Sequence, residues 1–200
     1  MVLFQLNVRS VAHGIVLETV GSVTVNSNNK VGIASGGRAA NATDVWATPW
    51  DLIQWVESEF GQLVLDAAAT KENTKAPDYI TPEQDSLVTP WLTEYTQEGT
   101  TWCNPPYGRI AVKFVQRAIE QVANGNCKRV VMLLASRTDT KMFQDYVFPN
   151  ASRVHFVKGR LKFGGKGPAN FPSVIVVFDK DHEGEATWTF GKCEIKEESI

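Results

Sequence analysis

The chain has 200 residues, of which 43% are hydrophobic and 21% charged, with a formal net charge of −2 and three cysteines. This length suffices for one sizeable core, and the composition is that of an ordinary globular protein rather than a disordered or fibrous one. The sequence has no apolar run of membrane-spanning length, no signal-peptide pattern and no metal-ligand spacing of its cysteines. We therefore expect free thiols, a reducing cytoplasm, and no membrane or metal partner.

The first 43 residues are predicted to form an extension ahead of the main domain. Val2–Val8 and Ser22–Val25 carry strand-like patterns on either side of His13-Gly14, which favours a β-hairpin with a turn at that pair. The following stretch is rich in Asn, Ser, Gly and Ala and is typical of a flexible linker. We predict three parts: an N-terminal extension over 1–43, a folded domain over 44–180 and an acidic tail over 181–200.

A helix is predicted to begin directly after Thr48. This residue can cap the helix, Pro49 suits the first helical position, and Asp51 completes a capping-box pattern. Apolar residues then recur at helical spacing up to Phe60. The short apolar run Leu63–Asp66 follows, which predicts a buried strand that ends in a carboxylate.

The remainder of the domain is predicted to alternate between strands and helices. Only 38 positions separate Asp66 from Asn104, too few for two full crossovers, so this part should be a trimmed layer with loops. This alternation predicts an α/β sandwich with a mostly parallel sheet, and the last two strands should form an antiparallel pair at its edge. The elements are a strand before Asn104, a helix from Arg109 to Val122, a strand over 129–135, a short helix ending at Pro149, and strands over 153–157 and 173–178.

Asn104-Pro105-Pro106-Tyr107 is the stretch whose chemistry points most directly to a site. Two consecutive prolines cannot continue a sheet or a helix interior, so the backbone must leave the sheet here. Asn104 offers a side-chain carbonyl and Tyr107 a flat ring, which suits a planar ligand with an exocyclic amino group. A strand that is merely ended by prolines explains the same four residues without any site.

Polar residues also follow the ends of three predicted strands. Asp66, Asn104 and Ser136-Arg137 come from segments far apart in the sequence. Because open α/β sheets bind ligands beyond the carboxyl ends of their strands, these residues are predicted to converge on one crevice.

Five segments occur in order along the chain: Asp44-Val45-Trp46-Ala47-Thr48-Pro49, Leu65-Asp66-Ala67-Ala68-Ala69, Asp85-Ser86-Leu87, Trp102-Cys103-Asn104-Pro105-Pro106-Tyr107-Gly108 and Gly159-Arg160-Leu161-Lys162-Phe163. Together they resemble the phage Dam-type N6-adenine DNA methyltransferase family, over roughly residues 44–179. The resemblance implies a Rossmann-like methyltransferase sandwich, S-adenosylmethionine as methyl donor, double-stranded DNA as partner, and protection of phage DNA from restriction in the host cytoplasm.

The resemblance also implies roles for individual residues. Asn104, Pro105, Pro106 and Tyr107 correspond to the catalytic motif. The cofactor-binding positions would be Thr48, Pro49, Asp66, Ala67, Ala68 and Asp85. One departure from the common pattern is that Ala67-Ala68-Ala69 stands where many methyltransferases have Gly-x-Gly, and alanine disfavours a positive φ.

A stretch without acidic residues is the predicted DNA-binding region. No Asp or Glu occurs between Tyr146 and Phe178. Phe163 within it either wedges into the base stack or belongs to the core, and a merely solvated basic face is the alternative for the whole stretch. The predicted DNA contacts are Arg137, Arg160, Lys162 and Lys166.

Three functions fit the sequence. The leading interpretation is a DNA adenine N6-methyltransferase that uses S-adenosylmethionine and a flipped base. A methyltransferase acting on a protein glutamine or an RNA base keeps the same motif with another acceptor. A cofactor- or DNA-binding protein without turnover is the third, although such a protein has no chemical reason to keep an intact Asn104–Tyr107 motif.

Overall fold

The structure is a computed structural model that describes residues 9–12, 15–18, 47–164 and 167–195. The chain divides into two compact units, Met1–Ala39 and Ala40–Ile200. In the first unit, β1 (Arg9–Ala12) pairs antiparallel with β2 (Ile15–Glu18). His13-Gly14, the predicted turn, lies outside the described residues. The strand patterns predicted at Val2–Val8 and Ser22–Val25, like the linker over 26–43, lie outside the described residues.

The second unit contains a seven-stranded sheet in the order β4-β3-β5-β6-β8-β7-β9. Neighbouring strands from β4 to β6 run parallel, β8 runs antiparallel to both β6 and β7, and β9 is parallel to β7. The predicted α/β class with a mostly parallel sheet is therefore confirmed. Its strands are β3 (Leu63–Asp66), β4 (Asp78–Tyr79), β5 (Thr100–Cys103), β6 (Arg129–Ala135), β7 (Arg153–Val157), β8 (Ser173–Asp179) and β9 (Thr187–Gly191).

The antiparallel pair β7–β8 is present, but the prediction that it forms the edge of the sheet is wrong. β9 pairs with β7 outside it, in the stretch that was predicted as an acidic tail over 181–200. The signal for β9 is short, because only Trp188 and Phe190 are large apolar residues and acidic residues precede them. Composition alone therefore suggested a solvated tail where the chain adds a strand.

Helices cover both faces of the sheet. On one face, α1 (Trp50–Phe60) packs its buried side chains against Trp102 and alternate residues of β6 and β8. On the other face, α2 (Ala111–Ala123) packs against the intervening residues of the same strands, together with a π-helical segment, Met142–Val147. Successive side chains of each strand point to opposite faces and so contribute to two separate apolar layers, as expected for a sheet that is covered on both faces.

The ends of two helices differ from the predictions. Pro49 holds the capping position of α1 without a side-chain cap bond, and Asp51 accepts a hydrogen bond from the neighbouring Leu52 N–H at 2.8 Å. Thr48 is therefore not the cap, and its hydroxyl is engaged elsewhere. The short helix does not stop at Pro149 but continues as α3 (Phe148–Asn150), because proline is tolerated in a first helical turn.

The strand directions place several connections on the same side of the sheet, at the carboxyl ends of the parallel strands. Because β3, β5, β6 and β7 run in the same direction, the segments that follow them all begin at these carboxyl ends. Between β3 and β5 the chain forms only the two-residue β4 and loops, as the short spacing predicted. None of the helices in the described part of the chain is long and apolar enough to cross a membrane.

The approach of Gly99 to β3 generates a stability prediction. A Cβ at Gly99 would overlap both γ-methyl carbons of Val64, so Gly99→Ala should lower the free energy of unfolding by about 1–3 kcal/mol. In a Val64→Ala background the same change should cost much less, because the obstructing methyl groups are gone. Urea unfolding of the four proteins of this cycle measures both costs. Equal costs in the two backgrounds would show that the contact does not limit residue 99.

Candidate functional site

A cleft of about 490 Å³ lies at the carboxyl ends of β3 and β5. One wall follows β3, the opposite wall follows β5 and includes the start of α2, and the loop between β4 and β5 closes a third side. The wall residues in chain order are Ala67, Ala68, Ala69, Thr70, Asn73, Ile80, Thr81, Pro82, Asp85, Ser86, Leu87, Asn104, Pro105, Pro106, Tyr107, Ile110 and Phe114.

The wall after β3 is fixed by hydrogen bonds of the Ala67–Ala69 backbone. Ala67 N–H donates to the Trp102 carbonyl at 2.8 Å, and Ala69 N–H donates to the Ile80 carbonyl at 3.2 Å. The Ser86 hydroxyl donates to the Ala67 carbonyl. These bonds tie the loop to β5 and to the β4 side, so its methyl groups form a fixed surface in the cleft.

Alanine is compatible with this loop because the loop needs no left-handed residue. Within the described part of the chain, Asp85 is the one non-glycine residue with a positive φ, at 54°. The Gly-x-Gly pattern that Ala67-Ala68-Ala69 replaces is therefore not required for backbone conformation here. Small side chains still matter, because they line the cleft.

Asp66 is buried behind this loop, holds it by hydrogen bonds, and is not among the described residues that line the cleft. Its side chain is 3% exposed, and its two carboxylate oxygens accept hydrogen bonds from Ala68 N–H at 3.2 Å and Lys75 N–H at 3.0 Å. Burial raises the pKa of Asp66 to about 6, although both hydrogen bonds and the Lys75 charge oppose that shift. Its predicted contact with a cofactor stays a prediction, and the structure gives it a clear role in holding the loop.

Asp85 lies at the exposed rim of the cleft. Its carboxylate accepts a hydrogen bond from Leu87 N–H at 3.0 Å, which stabilises its left-handed turn. The next residue, Ser86, is buried, and its carbonyl accepts a hydrogen bond from Trp91 Nε1 at 2.9 Å. Ser86 thus connects this turn to the alanine loop. Sequence reasoning included it in a motif without giving it a role.

Asn104 is the first residue after β5 and lines the opposite wall. Its side-chain Nδ2 donates a hydrogen bond to Thr48 Oγ1 at 3.2 Å. Thr48 is 5% exposed. Neither Thr48 nor Pro49, both predicted cofactor positions, is among the described residues that line the cleft. The structure therefore joins Thr48 to the predicted catalytic motif.

Tyr107 is held by two aromatic rings of the loop between β7 and β8. Its ring centroid lies 4.9 Å from that of Phe171 and 6.4 Å from that of Phe163, both with edge-on geometry. The buried Tyr107 hydroxyl has no hydrogen-bond partner among the residues the structure describes. Burial raises the Tyr107 pKa above its ordinary value, so the phenol is neutral at physiological pH.

The predicted DNA-contact residues lie near the same edge of the sheet but outside the cleft. Arg137 follows β6, and Arg160 and Lys162 follow β7; all three are exposed. Lys166 lies outside the described residues. Phe163 is 1% exposed, so it belongs to the core and does not project as a wedge.

Several residues of the cleft were not predicted as site residues. The apolar ones, Ile80, Leu87, Ile110 and Phe114, give the cleft a surface suited to a flat ring, while Thr70 and Asn73 add polar groups. Their sequence signals were those of ordinary core or loop residues. No group of His, Cys, Asp or Glu within the described ranges could hold a metal ion.

Residues 37–197 of the chain match the family described as DNA N-6-adenine-methyltransferase (Dam). A DNA N-6-adenine-methyltransferase of Haemophilus phage HP1 (strain HP1c1) is 36% identical over 143 aligned residues, in an alignment that covers 68% of this chain and 79% of that protein. The DNA N-6-adenine-methyltransferase of Escherichia phage T1 is 31% identical over 167 aligned residues, in an alignment that covers 73% of this chain and 67% of that protein. These matches confirm the resemblance and extend it beyond residues 44–179.

A solved structure with a weaker likeness is that of the Type IIL restriction-modification enzyme MmeI in complex with DNA. The superposition covers 72% of this chain and 23% of the MmeI chain, with a TM-score of 0.41 and 12% sequence identity. A likeness of this size carries no argument, so the fold class rests on the strand order and the family on the sequence matches.

The buried Asp66 carboxyl generates a prediction about pH. Its folded pKa of about 6 is above the ordinary 3.8, so its protonated form stabilises the fold below pH 4 and this contribution is lost as pH rises through 6. Between pH 4 and 7 the free energy of unfolding of Asp66→Asn should therefore fall less than that of the parent, by on the order of 2 kcal/mol.

Urea unfolding at several pH values measures this difference. Asp85→Asn, which changes the exposed carboxylate at the rim, is the matched control for an Asp-to-Asn change in the same cleft. Parallel pH profiles for the parent and Asp66→Asn would mean that Asp66 does not titrate in this way.

Proposed function

Because the chain belongs to the DNA N-6-adenine-methyltransferase (Dam) family, we propose that it transfers a methyl group from S-adenosylmethionine to the N6 amino group of adenine in double-stranded DNA. The family makes the chain an adenine-specific DNA methyltransferase by class. The observation that carries the finer proposal is the cleft with the Ala67–Ala69 loop on one wall and the Asn104–Tyr107 motif on the other. Such a cleft can hold a methyl donor and an acceptor base side by side.

The wall after β3 fits the methyl donor. A cleft of about 490 Å³ is within the usual range for small-molecule sites, and its three alanine side chains let a ligand approach the backbone closely. The apolar residues Ile80 and Leu87 suit the adenine ring of the donor, and the Asp85 carboxylate at the rim suits its ribose hydroxyl groups. S-adenosylmethionine would supply an electrophilic methyl group on its sulfonium. Ala67, Ala68 and Asp85 would hold its nucleoside part.

The wall after β5 fits the acceptor. The amino nitrogen of adenine is a weak nucleophile because its lone pair is delocalised into the ring. We propose that the Asn104 side-chain oxygen and the Pro105 carbonyl accept its two N–H groups. This would draw the nitrogen towards tetrahedral geometry and localise the lone pair. As the nitrogen bonds to the methyl carbon, the bond between that carbon and the donor sulfur would break, and the methylated nitrogen would release one N–H proton to water. Positioning and fixed dipoles then supply the rate, and no side chain of tuned pKa is needed.

Pro106 and Tyr107 complete the acceptor side. The two prolines restrict the backbone, so the Pro105 carbonyl keeps one direction. The Tyr107 ring, held by Phe163 and Phe171, would stack on the acceptor base. A neutral phenol is suited to this role, because it brings no charge into contact with the base.

A base inside a duplex cannot reach this cleft, so the proposal includes flipping of the target adenine. Flipping costs a few kcal/mol of stacking and pairing energy. Contacts with the flanking phosphates would offset that cost. Arg137, Arg160 and Lys162 are exposed near the edge that carries the motif, and Lys166 follows them in the sequence. The phage origin of both relatives supports action on DNA in the cytoplasm of a host cell.

The other two interpretations have less support. A protein glutamine or an RNA base would use the same Asn104–Tyr107 motif, but the family and both relatives are named for DNA adenine. A binding protein without turnover would not need an asparagine amide held at the mouth of a cleft. The DNA methyltransferase is therefore the function that we propose.

The function is tested by incubating the protein with unmethylated duplex DNA and S-adenosylmethionine labelled in its methyl group. Digestion of the DNA and separation of its nucleosides should yield label in N6-methyl-2′-deoxyadenosine. Label that appears only in added RNA or protein, or in none of the three, would overturn the proposal.

A first variant tests the mechanism. Asn104→Ala removes the proposed acceptor oxygen, so methyl transfer should fall by about 100- to 1,000-fold, the range for removal of one preorganised group from a transition state. Calorimetric affinity for S-adenosylhomocysteine should change less than threefold, because the amide does not hold the nucleoside. Near-parent turnover of Asn104→Ala would remove the mechanism proposed here.

A second variant tests the basic loop. Arg160→Ala combined with Lys162→Ala should weaken duplex binding and reduce the slope of log affinity against log salt by about 2, because each side chain is proposed to neutralise one phosphate. Lys128→Ala with Lys180→Ala is the matched control, because these lysines lie at the opposite edge of the sheet, next to Arg129 and Asp179. If both pairs give the parental slope, the loop is a solvated face.

A further inference from the structure

We propose that Thr48 is a positioning residue for Asn104 and not a contact to the methyl donor. The proposal rests on the proposed function, because it assigns Thr48 a part in presenting the Asn104 oxygen to the acceptor amine. It differs from the role that the family resemblance implied for Thr48, which was cofactor binding.

The contact joins two segments that are distant in sequence. Thr48 Oγ1 accepts a hydrogen bond of 3.2 Å from Asn104 Nδ2, across 56 positions of the chain. Thr48 is 5% exposed and Asn104 is half-buried, so the Thr48 end of this bond lies in the interior. The hydroxyl is also not used to cap α1, although the sequence pattern predicted that use. Its described hydrogen bond is to the catalytic motif.

Thr48 is a rigid support because α1 begins two residues after it. The Ile53 N–H donates to the Pro49 carbonyl at 3.3 Å, which closes the first turn directly behind Thr48. Leu52 and Ile53 are each 1% exposed and Val56 is fully buried, so the start of α1 is anchored in the core. Displacement of the Thr48 backbone would therefore require movement of a packed helix.

This hydrogen bond places the two ends of the Asn104 amide differently. The oxygen and nitrogen of an asparagine amide have similar shapes but opposite hydrogen-bonding character. In the observed arrangement Nδ2 faces Thr48 Oγ1, so Oδ1 is the end that would accept from an amine. A reversed amide would present N–H groups to the N–H groups of adenine, which would repel the acceptor. We therefore assign to Thr48 the support of Asn104 in the orientation that suits the acceptor.

Thr48→Val and Thr48→Ser separate positioning from cofactor binding. Valine keeps the shape of threonine but cannot accept a hydrogen bond, whereas serine keeps the hydroxyl. At saturating S-adenosylmethionine and DNA, Thr48→Val should lower kcat about tenfold, the scale expected when one orienting hydrogen bond is removed. The KM for S-adenosylmethionine and the Kd for S-adenosylhomocysteine should stay within twofold. Thr48→Ser should retain at least a third of the parental kcat.

The opposite pattern would overturn the proposal. If Thr48 contacts the methyl donor, Thr48→Val will raise the Kd for S-adenosylhomocysteine severalfold and leave kcat at saturation near that of the parent. A Thr48→Ser variant as slow as Thr48→Val would likewise exclude the hydroxyl as the important group.

A measurement on the protein alone keeps this test separate from the proposed function. In ¹⁵N-labelled protein, the Asn104 side-chain NH₂ resonances can be assigned by their disappearance in Asn104→Asp. Thr48→Val should shift these resonances and speed their exchange with water, while Thr48→Ser should leave them near the parental positions. Unchanged resonances in Thr48→Val would refute positioning even in an active enzyme. A shift in a protein without methyltransferase activity would uphold the hydrogen bond and reject the function.

Discussion

The parallel pairing of β3 with β5 is the constraint on which the site depends. Asp66 lies opposite Trp102 in this register, and the next backbone N–H, that of Ala67, donates to the Trp102 carbonyl. The chain therefore leaves both strands at the same level of the sheet. The alanine loop begins on one side of the resulting cleft, and Asn104 begins the wall on the other. Trp102 itself is fully buried beneath α1, so the register is fixed by the core and not by the site.

Several polar side chains around the cleft form hydrogen bonds with backbone groups or with each other. Asp66 uses both carboxylate oxygens to hold the loop after β3, and Ser86 ties that loop to the turn at Asp85. On the other wall, Thr48 holds the Asn104 amide. Burial has a cost for Asp66, whose pKa it raises. Preorganisation of this kind is what a reaction needs when no acid or base of tuned pKa takes part, because the groups need not rearrange as charge develops.

Much of this arrangement could be predicted from the sequence because it follows from local patterns. Apolar runs located β3 and β6, helical spacing located α1 and α2, and the strand-end pattern located Asn104, which lines the cleft. The remainder depends on contacts between distant segments. A capping pattern at Thr48 gave no sign that its hydroxyl bonds to Asn104, and a carboxylate after a strand gave no sign that it turns inward. β9 was missed because two aromatic residues among charges are too weak a signal. The burial of Phe163 depends on the cluster that it joins with α1 and the sheet, which its sequence neighbours do not reveal.

The central claim is that one cleft holds the methyl donor on the β3 side and the acceptor base on the β5 side. A crystal structure of the protein with S-adenosylhomocysteine tests it most directly. The account predicts that the nucleoside lies between the Ala67–Ala69 loop and the turn at Asp85, with the sulfur directed towards Asn104. Density for the ligand at the opposite edge of the sheet, or in the cleft with its sulfur turned away from Asn104, would contradict the account.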